Sequence, residues 1–450
     1  MKKSSSENPI WRFFSSVKLA VSLLITLAIT SIAGTLIPQG ESLQFYLERY
    51  GPTFFNIIKS LQLYDTYHSW WYLSILGLFA LNLIVCTLKR FPYTLKLYRR
   101  DSLAVDPAKL SKMPLRARWE VNPGLDDGKR QAIVSTFAKK AGGINGEKEL
   151  SGGRLYLSEK GKWSYWGLYG LHASILVILI GAIIGSFLGF KGYIMLMEGD
   201  TTSHATDRQT GARIPLGFSL RCDAFTVSFY DNGAPKEFRS ELTIIDGGKE
   251  VLHRPLRVNH PLEYKGITFY QASYQAAPEV TVRVVSSKGR QQIFRLPAFQ
   301  KVTWPQTRIS LAVLQYIPNV HGLPAARIWI APSSGPAQSI WVLKGHDKEV
   351  QIGDQLYRFS LLNAKEKYMT GLQIKKDPGV WVVWFGCTAL ILGFTIVFWV
   401  PHRKMWLWIG REGKQDVVLL SGQTNKNRIQ FEQDFRRLER LLDQQIGDKS

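Results

Sequence analysis

Four long apolar runs punctuate an otherwise polar chain, at residues 19–37, 70–88, 163–190 and 380–400, and none of them holds an Asp, Glu, Lys or Arg. At about 1.5 Å per residue, roughly 20 apolar residues cover the hydrocarbon core of a bilayer, so each run predicts a transmembrane helix. The first run is long for the apolar segment of a signal peptide, no small-residue cleavage site follows it, and Pro38 closes it, so it reads as a retained span. Phe45, Tyr46, Phe54, Phe55 and Ile58 predict an interfacial helix over 43–64 in the first loop, 38–69.

The pattern changes between the spans. Residues 89–162 alternate like a strand over 115–121, repeat like a helix over 129–140 and alternate again over 154–158, which predicts a small α+β module. Residues 191–377 have short runs of Val, Ile, Tyr, Phe and Thr broken by Gly, Asn and Asp. Turns at Asp231-Asn232-Gly233 and Asp246-Gly247-Gly248 separate strand-like runs, the second as a hairpin signal. About ten strands are expected there, in one β-sandwich or open barrel-like domain. The segment after residue 400 reads as a tail, with Phe431, Phe435, Leu438 and Leu442 at helical spacing for one amphipathic helix. The predicted fold class is a membrane protein of four transmembrane α-helices, a large all-β, sandwich-like domain and a small α+β module.

Charge orients this arrangement. The 450-residue chain carries 57 Lys plus Arg against 35 acids, a formal +22. Residues 89–162 hold 17 of the basic residues and eight acids, and the basic residues crowd against the second and third runs. Such charge marks the cytoplasmic side of a span, a simpler reading than a nucleic-acid surface. The expected order is a cytoplasmic N-terminus (1–18) with Lys2, Lys3 and Arg12, span 19–37, outer loop 38–69, span 70–88, cytoplasmic module 89–162 and span 163–190. An extracytoplasmic β domain (191–377), span 378–400 and cytoplasmic tail 401–450 complete it. Trp70-Trp71, Trp381 and Trp384 read as anchors at the outer interface.

Little in the chain signals catalysis. Cys86 and Cys387 lie in apolar runs and Cys222 stands alone, so there is neither a C-x-x-C motif nor a disulfide framework. Walker, nucleophile-elbow and H-E-x-x-H signatures are absent, and no catalytic residue is assigned. Seven of the eight histidines, His68, His204, His253, His260, His321, His346 and His402, read as surface or interface residues. His172 differs, because it lies nine residues after Trp163 inside the third run. An ionisable group there is costly and calls for a reason. Three readings are open: a hydrogen bond to another helix, a proton relay, or ligation of a metal or haem iron. A bis-histidine haem site needs a second imidazole, which a partner would have to supply.

Five stretches, taken together and in order, resemble the ResB family of cytochrome c biogenesis proteins, called CcsB in some systems. They are FSSVKLAVSLLITLAITSIAGTLIPQ at 14–39, WWYLSILGLFALNLIVCTLKR at 70–90 with Asn82 and Cys86, and Glu159-Lys160-Gly161 leading to His172. The others are VNHPLEYKGITFYQASY at 258–274, and KDPGVWVVWFG at 376–386 followed by Pro401-His402-Arg403. The resemblance implies a system II subunit of a membrane cytochrome c synthase, in the bacterial cytoplasmic (inner) membrane with its β domain periplasmic. With a CcsA-like (ResC) membrane partner, such proteins move haem b to the outer face for thioether attachment to the C-x-x-C-H site of apocytochrome c. By position His172 corresponds to the family's transmembrane histidine, which implies that it is a haem-iron ligand, shared with a partner histidine. Missing C-x-x-C then fits a separate thioredoxin-like reductant. Fused ResB–CcsA chains occur in the family; this chain carries the ResB-like part, so a separate partner is implied. The β domain becomes a docking surface on which Tyr264, Tyr270 and Tyr274 are either interface anchors or strand packing. The competing expectation is a scaffold whose β domain docks partners while His172 only packs.

Overall fold

The computed structural model describes residues 8–121, 124–150, 152–207, 210–232, 234–413 and 415–447. Lys2, Lys3 and Gly233 lie outside them. The chain forms two compact units, one of residues 1–39, 57–184 and 379–450, the other of 40–56 and 185–378.

The first unit holds four helices long and apolar enough to cross a membrane: Val17–Leu36, Trp70–Arg99, Lys162–Leu188 and Val380–Trp399. The second of these outruns the expected 70–88. Ser69 caps its start by accepting from Tyr72 N, and beyond the apolar run it continues through Pro92 to a last turn with Lys96 and Arg99. Cations suit the carbonyl end of a helix, so a charged extension is stable there. The third span begins as a 3-10 turn, Lys162–Trp166, and becomes α-helical over Gly167–Leu188. It stops short of the expected residue 190, because Phe190 opens a strand. The expected interfacial helix is Leu43–Ser60, broken at Gly51 before Pro52.

One expectation is overturned. Residues 401–450 are not a tail separate from the 89–162 module. Arg403–Glu412 and Gln415–Thr424 are strands, and they lie inside a five-stranded antiparallel sheet with Leu115–Val121, Gly153–Lys160 and Gly146–Leu150. Helices Asp127–Ala141 and Arg428–Gly447 cover one face, packing Ile133, Phe137, Phe431, Phe435 and Leu442 on Leu407 and Leu420. On the other face Leu110 meets Trp406, Trp408, Leu155 and Leu419. Strands covered on both faces lose the polar–apolar alternation that marks a strand in sequence.

The second unit contains three sheets, of eight, four and four strands. That is sixteen strands among the described residues, more than the ten expected, and they surround two cores rather than one. The two four-stranded sheets face each other as a sandwich over Val282, Phe359, Leu311, Ile328 and Trp304. The eight-stranded sheet curls over a second core of Leu220, Leu242, Ile244, Phe269 and Leu372. Ser240 in one part of that sheet reaches Gln271 and Thr370 in another, at 2.7 and 2.8 Å.

Candidate functional site

The site forms where the second and third spans run antiparallel. His172 lies on the Gly167–Leu188 helix, about 8 Å from the helix start by axial rise. Its Nδ1 is 2.8 Å from Thr87 Oγ1 on the Trp70–Arg99 helix. The Thr87 hydroxyl is also 2.6 Å from Leu83 O, one turn back. A carbonyl only accepts, so the single hydroxyl hydrogen of Thr87 goes to Leu83 O. Thr87 Oγ1 must then accept from His172, so the network assigns a hydrogen to Nδ1; in the neutral imidazole this is the Nδ1–H tautomer. The lone pair is left on Nε2, which has no hydrogen-bond partner among the described residues and is not one of the enclosed unpartnered atoms.

A layer of aromatic residues lies one turn from His172. Tyr169 donates to Thr94 Oγ1 at 2.7 Å. Phe91 meets Tyr169 edge-on with ring centres 5.7 Å apart, and Trp166 lies 5.8 Å from Phe91 and 5.3 Å from Tyr98. Thr87, Phe91, Thr94 and Tyr98 lie along one stripe of the second span, following the three- and four-residue steps of a helix face. Another side of the third span packs on the fourth. A Cβ on Gly386 would lie 3.0 Å from Ile178 N and 3.2 Å from Ser174 O; one on Gly181 would lie 2.9 Å from Val383 N. Backbone-to-backbone approach of this kind is how apolar helices associate in lipid.

Asn82 and Cys86, from the resemblance, sit elsewhere on the second span. Asn82 Nδ2 donates to Phe14 O at 2.7 Å and Ser16 O at 3.1 Å, fixing the chain as it enters the first span. Cys86 approaches the same Phe14 carbonyl at 3.9 Å.

His402, expected at a surface or interface, is buried, with 5 % of its side chain exposed. Its Nε2 is 2.7 Å from Glu159 Oε1 and its Nδ1 is 3.1 Å from Tyr165 OH. Lys404 Nζ lies 3.4 Å from the same Glu159 oxygen and donates to Ser102 Oγ at 2.8 Å. Burial holds the imidazole below its ordinary value, overcoming the upward pull of the Glu159 hydrogen bond. For Glu159 burial works upward, but the His402 hydrogen bond and the charges of Lys404 and Lys162 outweigh it, so this carboxyl is held low. The two motif stretches around residues 159–161 and 401–403 are thus one structure, paired in register at Lys160 and Arg403. Gly161, at φ 69°, lets the Pro401 carbonyl rest where a side chain would stand.

The other singled-out residues stay apart from His172. His68 pairs with Asp65 at 2.6 Å. His253 lies on the eight-stranded sheet, 2.8 Å from Thr243 Oγ1. Tyr264 donates to Asp246 at 2.7 Å and packs edge-on against Phe218, and Tyr274 joins Phe229, Phe238 and Tyr368 in a ring cluster. Both are strand packing. Tyr270 is 41 % exposed and is the one of the three that presents itself outward. Thr87 had no distinctive mark in the sequence, since a hydroxyl in a helix ordinarily bonds its own preceding turn.

Four apolar spans, a β-rich unit and one imidazole held by a neighbouring span define a multi-span membrane protein with a polar site between helices. A sequence model of the ResB-like family matches residues 17–345 and 292–436, and the chain belongs to that family. A protein named "Cytochrome c biogenesis protein CcsB" from a Synechococcus species is 29% identical over 98% of this chain and 92% of its own. Proteins of the same name from Trichormus variabilis and Thermosynechococcus vestitus are 30% and 28% identical, each over 96% of this chain and over 92% and 97% of their own.

Proposed function

We propose that this chain is a subunit of a membrane machine for cytochrome c biogenesis and that His172 ligates the iron of haem, the cargo, through Nε2. The observation that carries the ligand role is the Thr87 hydrogen bond. An iron-ligating imidazole needs one nitrogen protonated and held, and the other bare. Thr87 supplies that arrangement. The aromatic layer of Phe91, Trp166 and Tyr169 offers apolar surface one turn away, suited to a porphyrin edge. A CcsA-like membrane partner supplies the second imidazole. Family membership and the names of the relatives support cytochrome c as the protein served.

The remainder of the reading follows from charge and chemistry. In this reading the five-stranded module and both termini lie on the cytoplasmic side of the bacterial inner membrane and the β unit on the periplasmic side, and the basic residues of 89–162 beside the spans support it. Haem taken up near His172 passes with the partner to the outer face. There each apocytochrome cysteine thiol adds across a haem vinyl group, the sulfur to one carbon and the hydrogen to the other. Such an addition needs reduced thiols and correct orientation, which is work done by positioning. A thioredoxin-like protein keeps those thiols reduced, and Tyr270 belongs to the face of the β unit that meets apocytochrome or partner.

Co-purification of the chain with its partner, followed by haem spectroscopy, tests the ligand role. His172→Ala is expected to abolish the six-coordinate low-spin spectrum and lower bound haem. Unchanged haem content and ligation in that variant would refute the assignment and leave a scaffold in its place.

A further inference from the structure

The module carries a second feature that haem handling does not use. A cavity of about 270 Å³ lies on the helix-covered face of the five-stranded sheet, among Lys140, Lys160, Arg403, Arg437 and Asp434. Four cations thus face one carboxylate. Asp434 is engaged by Arg403 at 3.1 Å, and Lys140, Lys160 and Arg437 have no carboxylate partner among the described residues. The Arg403 guanidinium rests over the Phe431 ring, 5.8 Å from its centre, and its Nε is enclosed with no hydrogen-bond partner among the described residues. An enclosed guanidinium N–H left without an acceptor is costly, and it is the four cations gathered around one carboxylate that call for an anionic ligand that accepts. The helix Asp127–Ala141 ends beside the cleft, and its carbonyl end favours the Lys160 ammonium lying against Gly142. Lys140 stands in the last turn of the same helix and shares that favourable end, which leaves Arg437 without any such partner and the cleft with a surplus of positive charge.

The position of the cleft says what the acceptor is. Lys160 and Arg403 are register partners at the end of the sheet where the chain enters the third span, at Lys162, and leaves the fourth, at Trp399. Arg403 is four residues from the end of the fourth span, at most about 13 Å of extended chain. A lysine or arginine side chain shortens that gap further, which brings the cations of the cleft within reach of the headgroups at the end of the span. We propose that it binds the phosphoryl headgroup of an anionic phospholipid in the leaflet on the module's side. Juxtamembrane cations attract such lipids individually; here four are gathered around one cavity with a guanidinium donor held in place. A bound headgroup would fix the module against the bilayer at the base of the third and fourth spans.

Native mass spectrometry of the full-length protein in detergent, titrated with phosphatidylglycerol, provides the test. Removing one such charge is expected to weaken binding about fivefold, so Lys140→Gln/Lys160→Gln/Arg437→Gln is expected to weaken it about a hundredfold. Lys140→Arg/Lys160→Arg/Arg437→Lys keeps the charges and is expected to restore binding, which separates lost chemistry from lost folding. Lys112→Gln/Lys129→Gln/Lys148→Gln removes the same charge away from the cleft and should change retention by less than twofold. Equal loss in that control would overturn the proposal in favour of diffuse surface charge. Undiminished phosphatidylglycerol binding in the first triple variant would also overturn it. Displacement of the lipid by millimolar inorganic phosphate would assign the cleft to a soluble phosphate and refute the lipid.

Discussion

Thr87→Val isolates the part of the proposed haem site that belongs to this chain alone. Valine keeps the β-branched shape and volume and deletes only the hydroxyl. The helix loses little, because Leu83 O still accepts from the backbone N–H of residue 87 within the Trp70–Arg99 helix. The imidazole loses its acceptor at 2.8 Å. Hydrogen bonds between membrane helices average about 0.6 kcal/mol and reach about 1.7 kcal/mol, so the helix pair should survive. The larger effect is on the tautomer. With no acceptor beside Nδ1, the proton is free to occupy Nε2, and iron must then displace it. Hydrogen-bond partners of metal-ligating histidines typically contribute 10–100-fold in affinity, or about 1.4–2.8 kcal/mol. Haem titration of the co-purified complex, read by its low-spin absorption, is therefore expected to show a dissociation constant raised 10–100-fold in Thr87→Val. Thr87→Ser keeps the hydroxyl and should stay within about threefold of wild type. A Thr87→Val complex that holds haem as tightly as wild type would refute the tautomer argument. So would equal losses in Ser and Val, which would make the methyl group, not the hydroxyl, the working part.

Gly386→Val should lower the thermal midpoint of the detergent-solubilised protein, because its new atoms meet backbone at 3.0 and 3.2 Å. Overpacking of that kind costs about 1–3 kcal/mol, whereas Gly170→Ala, at a position with open space around it, should leave the midpoint unchanged. Acid should loosen the His402–Glu159 junction. Both groups are held low in the fold, so their contribution is present at neutral pH and is lost on acidification, His402 first as pH falls below its ordinary 6.5 and Glu159 after it. Thermal midpoints measured between pH 8 and 5 should fall, and His402→Gln should flatten that dependence; an equally steep slope in the variant would place the titration elsewhere. Cys222 should resist alkylation at pH 8 until the β unit unfolds, since it is fully buried and its thiol is pushed up to about 12 by burial and the nearby Glu198, Asp223 and Asp200. Mass spectrometry of iodoacetamide-treated native protein reads this directly, and rapid labelling of Cys222 would contradict its burial.

The spans were legible because a run of some 20 uncharged residues has one economical fate in a bilayer. The β character of 191–377 was legible for a similar reason, through repeated short runs and glycine turns. What the pattern concealed was partnership. The strand Arg403–Glu412 reads as RKMWLWIGRE, with Met405 through Gly410 buried in an unbroken row. Without alternation it looks like the residue of a span rather than the middle of a sheet. Its neighbour Gly153–Lys160 lies some 250 positions earlier, and nothing local names it. Thr87 and His172 pose the same problem at 85 positions apart. The cost of a membrane histidine was visible in the sequence; the group that settles its tautomer was not.

The buried strands and the membrane histidine meet in one mechanical consequence. The third span starts at Lys162, two residues after the sheet pair Lys160–Arg403 on one chain segment, and the fourth ends four residues before it on the other. The sheet therefore helps to set where the two spans stand relative to each other along their axes. A register slip of one residue would shift one strand by about 3.3 Å and turn its side chains to the opposite face. It would withdraw His402 from Glu159 and Tyr165, move the Pro401 carbonyl off Gly161, and misplace Gly386 against Ser174 and Ile178. The glycine contacts set spacing in lipid, and the His402–Glu159 contact sets register in the module. The face on which His172 stands is the third span's side toward the second, so a span held at both its base and its back presents Nε2 in one direction. The proposed role, sharing haem iron with a separate protein, would need that constancy, because neither imidazole could search for the other once the helices are packed.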